Sequence, residues 1–127
     1  MSSTPRELVD CAAELLKRAL DEPQYRAVCS RAYYGAFHAA NAFHNALSAP
    51  GSVGTARGRH QQLISQLANP ACSKQNDNYF ISQALSKKLR PLIDARVKAD
   101  YLIRSEVSVA LATAATAGAQ AIVQRVI

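Results

Sequence analysis

Arg31, Tyr34, His38, Asn41 and Asn45 follow one another at intervals of three and four residues. Residues so spaced share one face of a helix, so these five predict a continuous polar stripe about four turns long. Their types are those that handle anions and protons: a permanent guanidinium, an imidazole that titrates near neutral pH, a phenol, and two amides that both donate and accept. The flanking stripe Ala32, Ala36, Ala39, Phe43 and Leu47 is small and apolar. It lets another helix approach closely and leaves the polar stripe facing a groove or a partner.

A second set of candidates lies downstream. His60 sits beside Arg57 and Arg59, a local cation cluster suited to a phosphate; the competing expectation is a loop residue. Lys87, Lys88, Arg90, Arg96, Lys98 and Arg104 place six cations within eighteen residues, opposed by Asp94 and Asp100. Such a run reads as a solvated basic face, or as phosphate contacts whose affinity falls steeply with salt. Neither His44 nor His60 has a second ligand type at metal-binding spacing, so no metal and no cofactor are expected. Tyr33 is expected in the core, and Tyr34 either packs in the bundle or offers a base a stacking platform.

At 127 residues the chain predicts one domain, covering 1–127, large enough to bury a core without staples. Its formal charge of +6 and pI near 9.6 favour a polyanionic partner. Cys11, Cys29 and Cys72 form neither a disulfide framework nor a zinc knuckle, and the first residues carry no secretory pattern. A reducing cytoplasm is therefore the expected location. The most apolar stretch, Val107 to Val123, has 17 residues and includes Ser108, Thr113, Thr116 and Gln120. A membrane span needs about 20 strongly apolar residues, so a buried bundle helix and no membrane partner are predicted.

The elements that must position these residues read as helices throughout. Thr4-Pro5-Arg6-Glu7 has capping-box spacing and opens a first helix from about Pro5 to Leu20. Asp21-Glu22-Pro23 starts a second, with Gly35 its lone breaker before Ser48. Residues 48–58 read as a flexible loop, Arg59 to Ala68 as a short third helix, and 69–78 as a second flexible loop. A fourth helix runs from Tyr79 to Tyr101, kinked or restarted at Pro91, and a fifth from about Ser105 to Val126. The expected fold is an all-α, up-and-down bundle of about five helices, without internal repeat or nucleotide-binding glycine loop.

The segment RAVCSRAYYGAFHAANAF resembles the R-x-Y-Y-x-x-F-x-A-A second helix of the HEPN family. Arg59-His60 resembles that family's Ser/Lys-His step, and Arg96-Val-Lys-Ala-Asp100-Tyr101 its late R-x-x-A-D-Y signature. The likeness covers nearly the whole chain. It implies a helical bundle that dimerises through paired helices, in a family where many members are metal-independent ribonucleases of toxin-antitoxin, CRISPR and abortive-infection systems. Active members carry Arg and His separated by four to six residues, and Arg31 and His38 enclose six. Attack by an RNA 2′-hydroxyl needs proton transfer near neutral pH, suited to His38, and a fixed cation for the developing phosphorane charge, suited to Arg31. On this reading Tyr34, Asn41, His60, Arg96 and Lys98 contact RNA or phosphate.

The chain also departs from the best-known nucleases of the family, whose motif lies on a late helix. No histidine follows Arg96, and an ionised Asp100 repels phosphate. The alternative is a non-catalytic scaffold that binds a nucleotide or a minimal nucleotidyltransferase, with Tyr101 matching the tyrosine that such partners modify. The corresponding structural expectation is that Arg31 pairs with a carboxylate such as Asp100 and that His38 is satisfied inside the bundle.

Overall fold

A computed structural model describes residues 3–126. Its five helices are α1 (Pro5–Arg18), α2 (Glu22–Asn45), α3 (Arg59–Ala68), α4 (Asp77–Tyr101) and α5 (Val109–Val126), with no strand among the described residues. The all-α expectation therefore holds.

Local chemistry sets most of the boundaries. At α1 the Thr4 hydroxyl accepts the Glu7 N–H at 3.1 Å while the Glu7 carboxylate accepts the Thr4 N–H at 2.9 Å, the reciprocal capping box. Asp21 caps α2 by accepting the Gln24 N–H at 3.2 Å. Asn76 caps α4 through the Asn78 N–H at 2.9 Å, so the polar stretch expected to stay a loop to residue 78 already begins the helix at Asp77. Pro91 neither ends nor restarts α4, which continues through it. Pro91 is exposed and so is Lys87, whose carbonyl it leaves without an intrahelical donor, so water can serve that oxygen.

The last helix starts four residues later than expected, and its cause lies far upstream. Arg26 donates to the carbonyls of Lys98 (3.0 Å), Ala99 (2.9 Å), Leu102 and Ile103, and also to that of Ser105. Glu22 pairs with Arg26 at 2.8 Å and accepts the Val107 N–H at 2.8 Å. The backbone of Ser105 and Val107 is thus bound to α2, and Ser108 begins α5 instead, its hydroxyl accepting the Leu111 N–H at 3.1 Å. The clamp serves the orphan carbonyls at the end of α4 and fixes that end against α2.

α2 is the central helix and packs against the other four, chiefly α1, α4 and α5. Ala32, Ala36, Ala39 and Ala40 are buried along it, as the small apolar stripe implies. Gly35 is also buried, and a Cβ there would stand 2.6 Å from Val9 Cγ2 and 3.1 Å from the Pro5 carbonyl and the Val9 N–H nitrogen. Only hydrogen at this position lets α1 lie so close. α3 is tied to α4 by two buried serines: Ser82 donates to the Leu67 carbonyl at 2.7 Å and Ser86 to the Ile64 carbonyl at 3.0 Å. The buried side chains of all five helices form one core.

Candidate functional site

The five stripe residues of α2 all line one groove of about 760 Å³. Pro5, Leu8 and Cys11 of α1 form its near wall, brought there by the close approach at Gly35. Volumes of roughly 300–1,000 Å³ are those of small-molecule sites. The expectation of a groove beside a tight helix contact is met.

Arg31 is exposed, and among the described residues no carboxylate lies within ion-pairing distance of it. Its nearest polar contact is weak, Nη1 to Cys11 Sγ at 3.9 Å. The expected pairing with Asp100 is not formed, because Asp100 is held by Arg96 one turn earlier on the same helix, at 3.0 Å, and accepts the Ser30 hydroxyl at 3.2 Å. A neighbour at i−4 reaches a carboxylate at less entropic cost than an arginine on another helix. Arg31 therefore keeps its full charge toward the groove.

His38 is half-buried and held by rings. Tyr34 stacks on it with centroids 5.1 Å apart and planes at 25°, and Phe37 meets it edge-on at 5.6 Å. Stacking by Tyr34 takes up one face of the imidazole and leaves the ring nitrogens for proton transfer. The expectation of a satisfied interior histidine does not hold. Tyr34 is 56% exposed, whereas Tyr33, one residue earlier, is 1% exposed and belongs to the core as expected.

The opposite side of α2 is flanked by α3 and α4. His60 is in the first turn of α3 rather than in a loop, with Nδ1 2.6 Å from the Tyr33 hydroxyl oxygen. Burial pushes its pKa down, and the charges of Arg96 and Arg59 push it further, so the ring is neutral at neutral pH. Burial raises the Tyr33 phenol to about 12, against the opposing pull of Arg96. Both partners are neutral, and the hydrogen bond between them is a positioning contact. Phe37 lies 4.6 Å from the His60 ring and carries the Arg59 guanidinium 5.3 Å above its centroid.

Arg96 is a cation already engaged: besides Asp100 it donates to the Tyr101 hydroxyl at 3.3 Å and lies over the Tyr33 and Tyr101 rings. Lys98 leaves α4 about 200° around the helix from Arg96, away from this cluster. The structure thus brings Arg31, Tyr34, His38 and Asn41 into one groove, leaves His60, Arg96, Asp100 and Tyr101 outside its lining, with Asp100 joined to it through Ser30, and leaves Lys98 apart from both. Ser30, Phe37 and Cys11 belong to the site without having been singled out by sequence. Ser30 was within reach, because it precedes Tyr34 by four and extends the stripe by one step; Cys11, on another helix, carries no such signal.

The third histidine is structural. His44 is buried and its Nε2 accepts the Gly51 N–H at 3.1 Å, which fixes the loop after α2; burial lowers its pKa and favours the neutral form that this bond needs. No cluster of metal-ligating residues occurs among the described residues, and no described helix is long and apolar enough to cross a membrane. No protein-family model, no curated protein and no solved structure matches this chain.

Proposed function

We propose that this protein is a HEPN-type bundle that acts on RNA as a metal-independent ribonuclease, in a prokaryotic toxin-antitoxin or antiviral setting. The observation that carries the reading is that Arg31, with no carboxylate in ion-pairing distance among the described residues, opens onto the same groove as His38. In the proposed reaction the 2′-hydroxyl attacks the adjacent phosphorus, the bond to the 5′-oxygen breaks, and a 2′,3′-cyclic phosphate and a 5′-hydroxyl end result. His38 transfers the proton and Arg31 offsets the charge that builds on the phosphoryl oxygens. A homodimer would set two such pairs around one phosphate. A reducing cytoplasm suits the three free thiols.

A second reading rests on the late segment. Arg96 is bound to Asp100 and Tyr101, and the Tyr101 ring is 64% exposed at the end of α4. That arrangement supports a non-catalytic scaffold that binds a nucleotide or a minimal nucleotidyltransferase, with Tyr101 as the group modified. Incubation of the purified protein with total RNA in EDTA separates the two. The ribonuclease reading expects cleavage that disappears in both Arg31→Ala and His38→Ala; RNA left intact at high protein concentration favours the scaffold.

A further inference from the structure

Resting on the ribonuclease reading of the groove, we propose that Tyr34 is a further catalytic residue: its phenol protonates the leaving 5′-oxygen while His38 takes the proton of the attacking 2′-hydroxyl.

In-line displacement at phosphorus places the entering and leaving oxygens on opposite sides of the reacting atom. One proton must leave the 2′-oxygen as another reaches the 5′-oxygen, so the two transfers call for two groups that flank the phosphate. His38 supplies one. Arg31 cannot supply the other, because a guanidinium does not give up its proton in a protein, and the amides of Asn41 and Asn45 do not titrate. Ser3 and Ser30 carry alcohols, no stronger as acids than the 5′-hydroxyl they would have to form, and Ser30 already donates to Asp100 at 3.2 Å. The Cys11 sulfur, on the α1 wall, is engaged with the Arg31 guanidinium at 3.9 Å. No carboxylate lines the groove among the described residues.

Tyr34 has the chemistry and the position that the second transfer needs. A phenol holds its proton at neutral pH and is a far stronger acid than an alcohol. The residue is 56% exposed, and its hydroxyl, unlike that of Tyr33, makes no hydrogen bond among the described residues. Its ring is fixed against His38 at 5.1 Å with planes 25° apart, and Arg31 precedes it by three residues on the same face. The three side chains leave α2 within about 10 Å of helix length, so a phosphate drawn to Arg31 has both rings beside it. In the reaction the O2′–P bond forms and the P–O5′ bond breaks; the 2′-proton passes to His38 and the phenolic proton to O5′. His38, then cationic, returns a proton through solvent to the phenolate stacked on it, and both groups regain their starting forms.

Tyr34→Phe keeps the ring and the stack and removes the hydroxyl alone. With the intact protein and an oligoribonucleotide in EDTA, kcat should fall about 100-fold in this variant while KM stays near the wild-type value. A strand whose scissile 5′-oxygen is replaced by sulfur should bring Tyr34→Phe back to near the wild-type rate, since a thiolate leaves without a proton. His38→Ala, which lacks the base, should stay slow on the sulfur strand. A stacking role alone predicts full activity in Tyr34→Phe and a loss only in Tyr34→Ala. Wild-type cleavage by Tyr34→Phe, or a defect that the sulfur strand does not repair, overturns the assignment of Tyr34 and leaves the ribonuclease reading standing. Wild-type protein that cleaves neither strand removes both.

Discussion

Arg96 Nε and Asp100 Oδ2 lie 3.0 Å apart across one turn of α4, and this pairing is the reason that the carboxylate expected to bind Arg31 never reaches it. It also offsets the Arg96 charge beside Ser30, which lines the groove and donates to Asp100. Asp100→Asn releases the Arg96 charge toward any bound strand while keeping a group of the same shape. Single-stranded RNA affinity should then fall more steeply with salt, the slope of log K against log salt growing by about 0.7, as for one added phosphate contact. Arg31→Ala should flatten it by a similar amount. Titrations from low to high salt measure both, and an unchanged slope in Asp100→Asn would mean that the α4 flank lies outside the RNA path.

The Arg26 clamp predicts a stability loss at a distance from the groove. Arg26→Ala strands several carbonyls at the end of α4 and should cost about 3 kcal/mol in denaturant unfolding.

Glu22 adds a pH signature to the same clamp. The Arg26 hydrogen bond and then the Val107 N–H hold its carboxyl below the ordinary value of 4.5, with burial opposing them. A carboxyl whose folded pKa is depressed contributes stability above its unfolded pKa and loses it as pH falls through the folded value. The wild-type protein should therefore weaken below about pH 4.5 more than Glu22→Gln does, which acid titrations followed by circular dichroism would show. Parallel acid curves would remove Glu22 from the account.

Much of the molecule was legible from sequence because its determinants are local. The capping box at Thr4, the cap at Asp21 and the Arg59–Ala68 helix depend on neighbours a few residues away, and the stripe from Arg31 to Asn45 depends on helical spacing alone. What sequence did not disclose is carried by contacts across the chain. The delayed start of α5 follows from Arg26 and Glu22 some eighty residues upstream, and the fate of Asp100 was decided by competition between two arginines. Tyr33 was legible as core, but not as the partner that orients His60 on another helix.

Gly35 sets the width of the groove. Gly35→Ala would drive a methyl group into Val9 and the α1 backbone, so α1 must move outward. A loss of about 2 kcal/mol is expected, together with weaker RNA binding because the wall carrying Pro5, Leu8 and Cys11 shifts. Unfolding and binding assays on the same preparation test this; normal affinity in a destabilised variant would show that α1 does not shape the site.

Cys11 offers a direct footprint. It is exposed, 3.9 Å from Arg31, whereas Cys29 is buried and its thiol is raised to about 11, chiefly by burial and further by Asp100. In a Cys72→Ser background a maleimide should label Cys11 and spare Cys29, since the thiolate is the reactive form. Bound RNA should slow that labelling several-fold. Labelling at the same rate with and without saturating RNA would place the ligand elsewhere.

The most direct test of the central claim is the chemistry of the RNA ends. A single oligoribonucleotide incubated with the protein in EDTA should yield a 2′,3′-cyclic phosphate and a 5′-hydroxyl, and neither should form with Arg31→Ala or His38→Ala. An intact strand, 5′-phosphate ends, or cleavage that persists in both variants would contradict the assignment of Arg31 and His38 to one reacting phosphate.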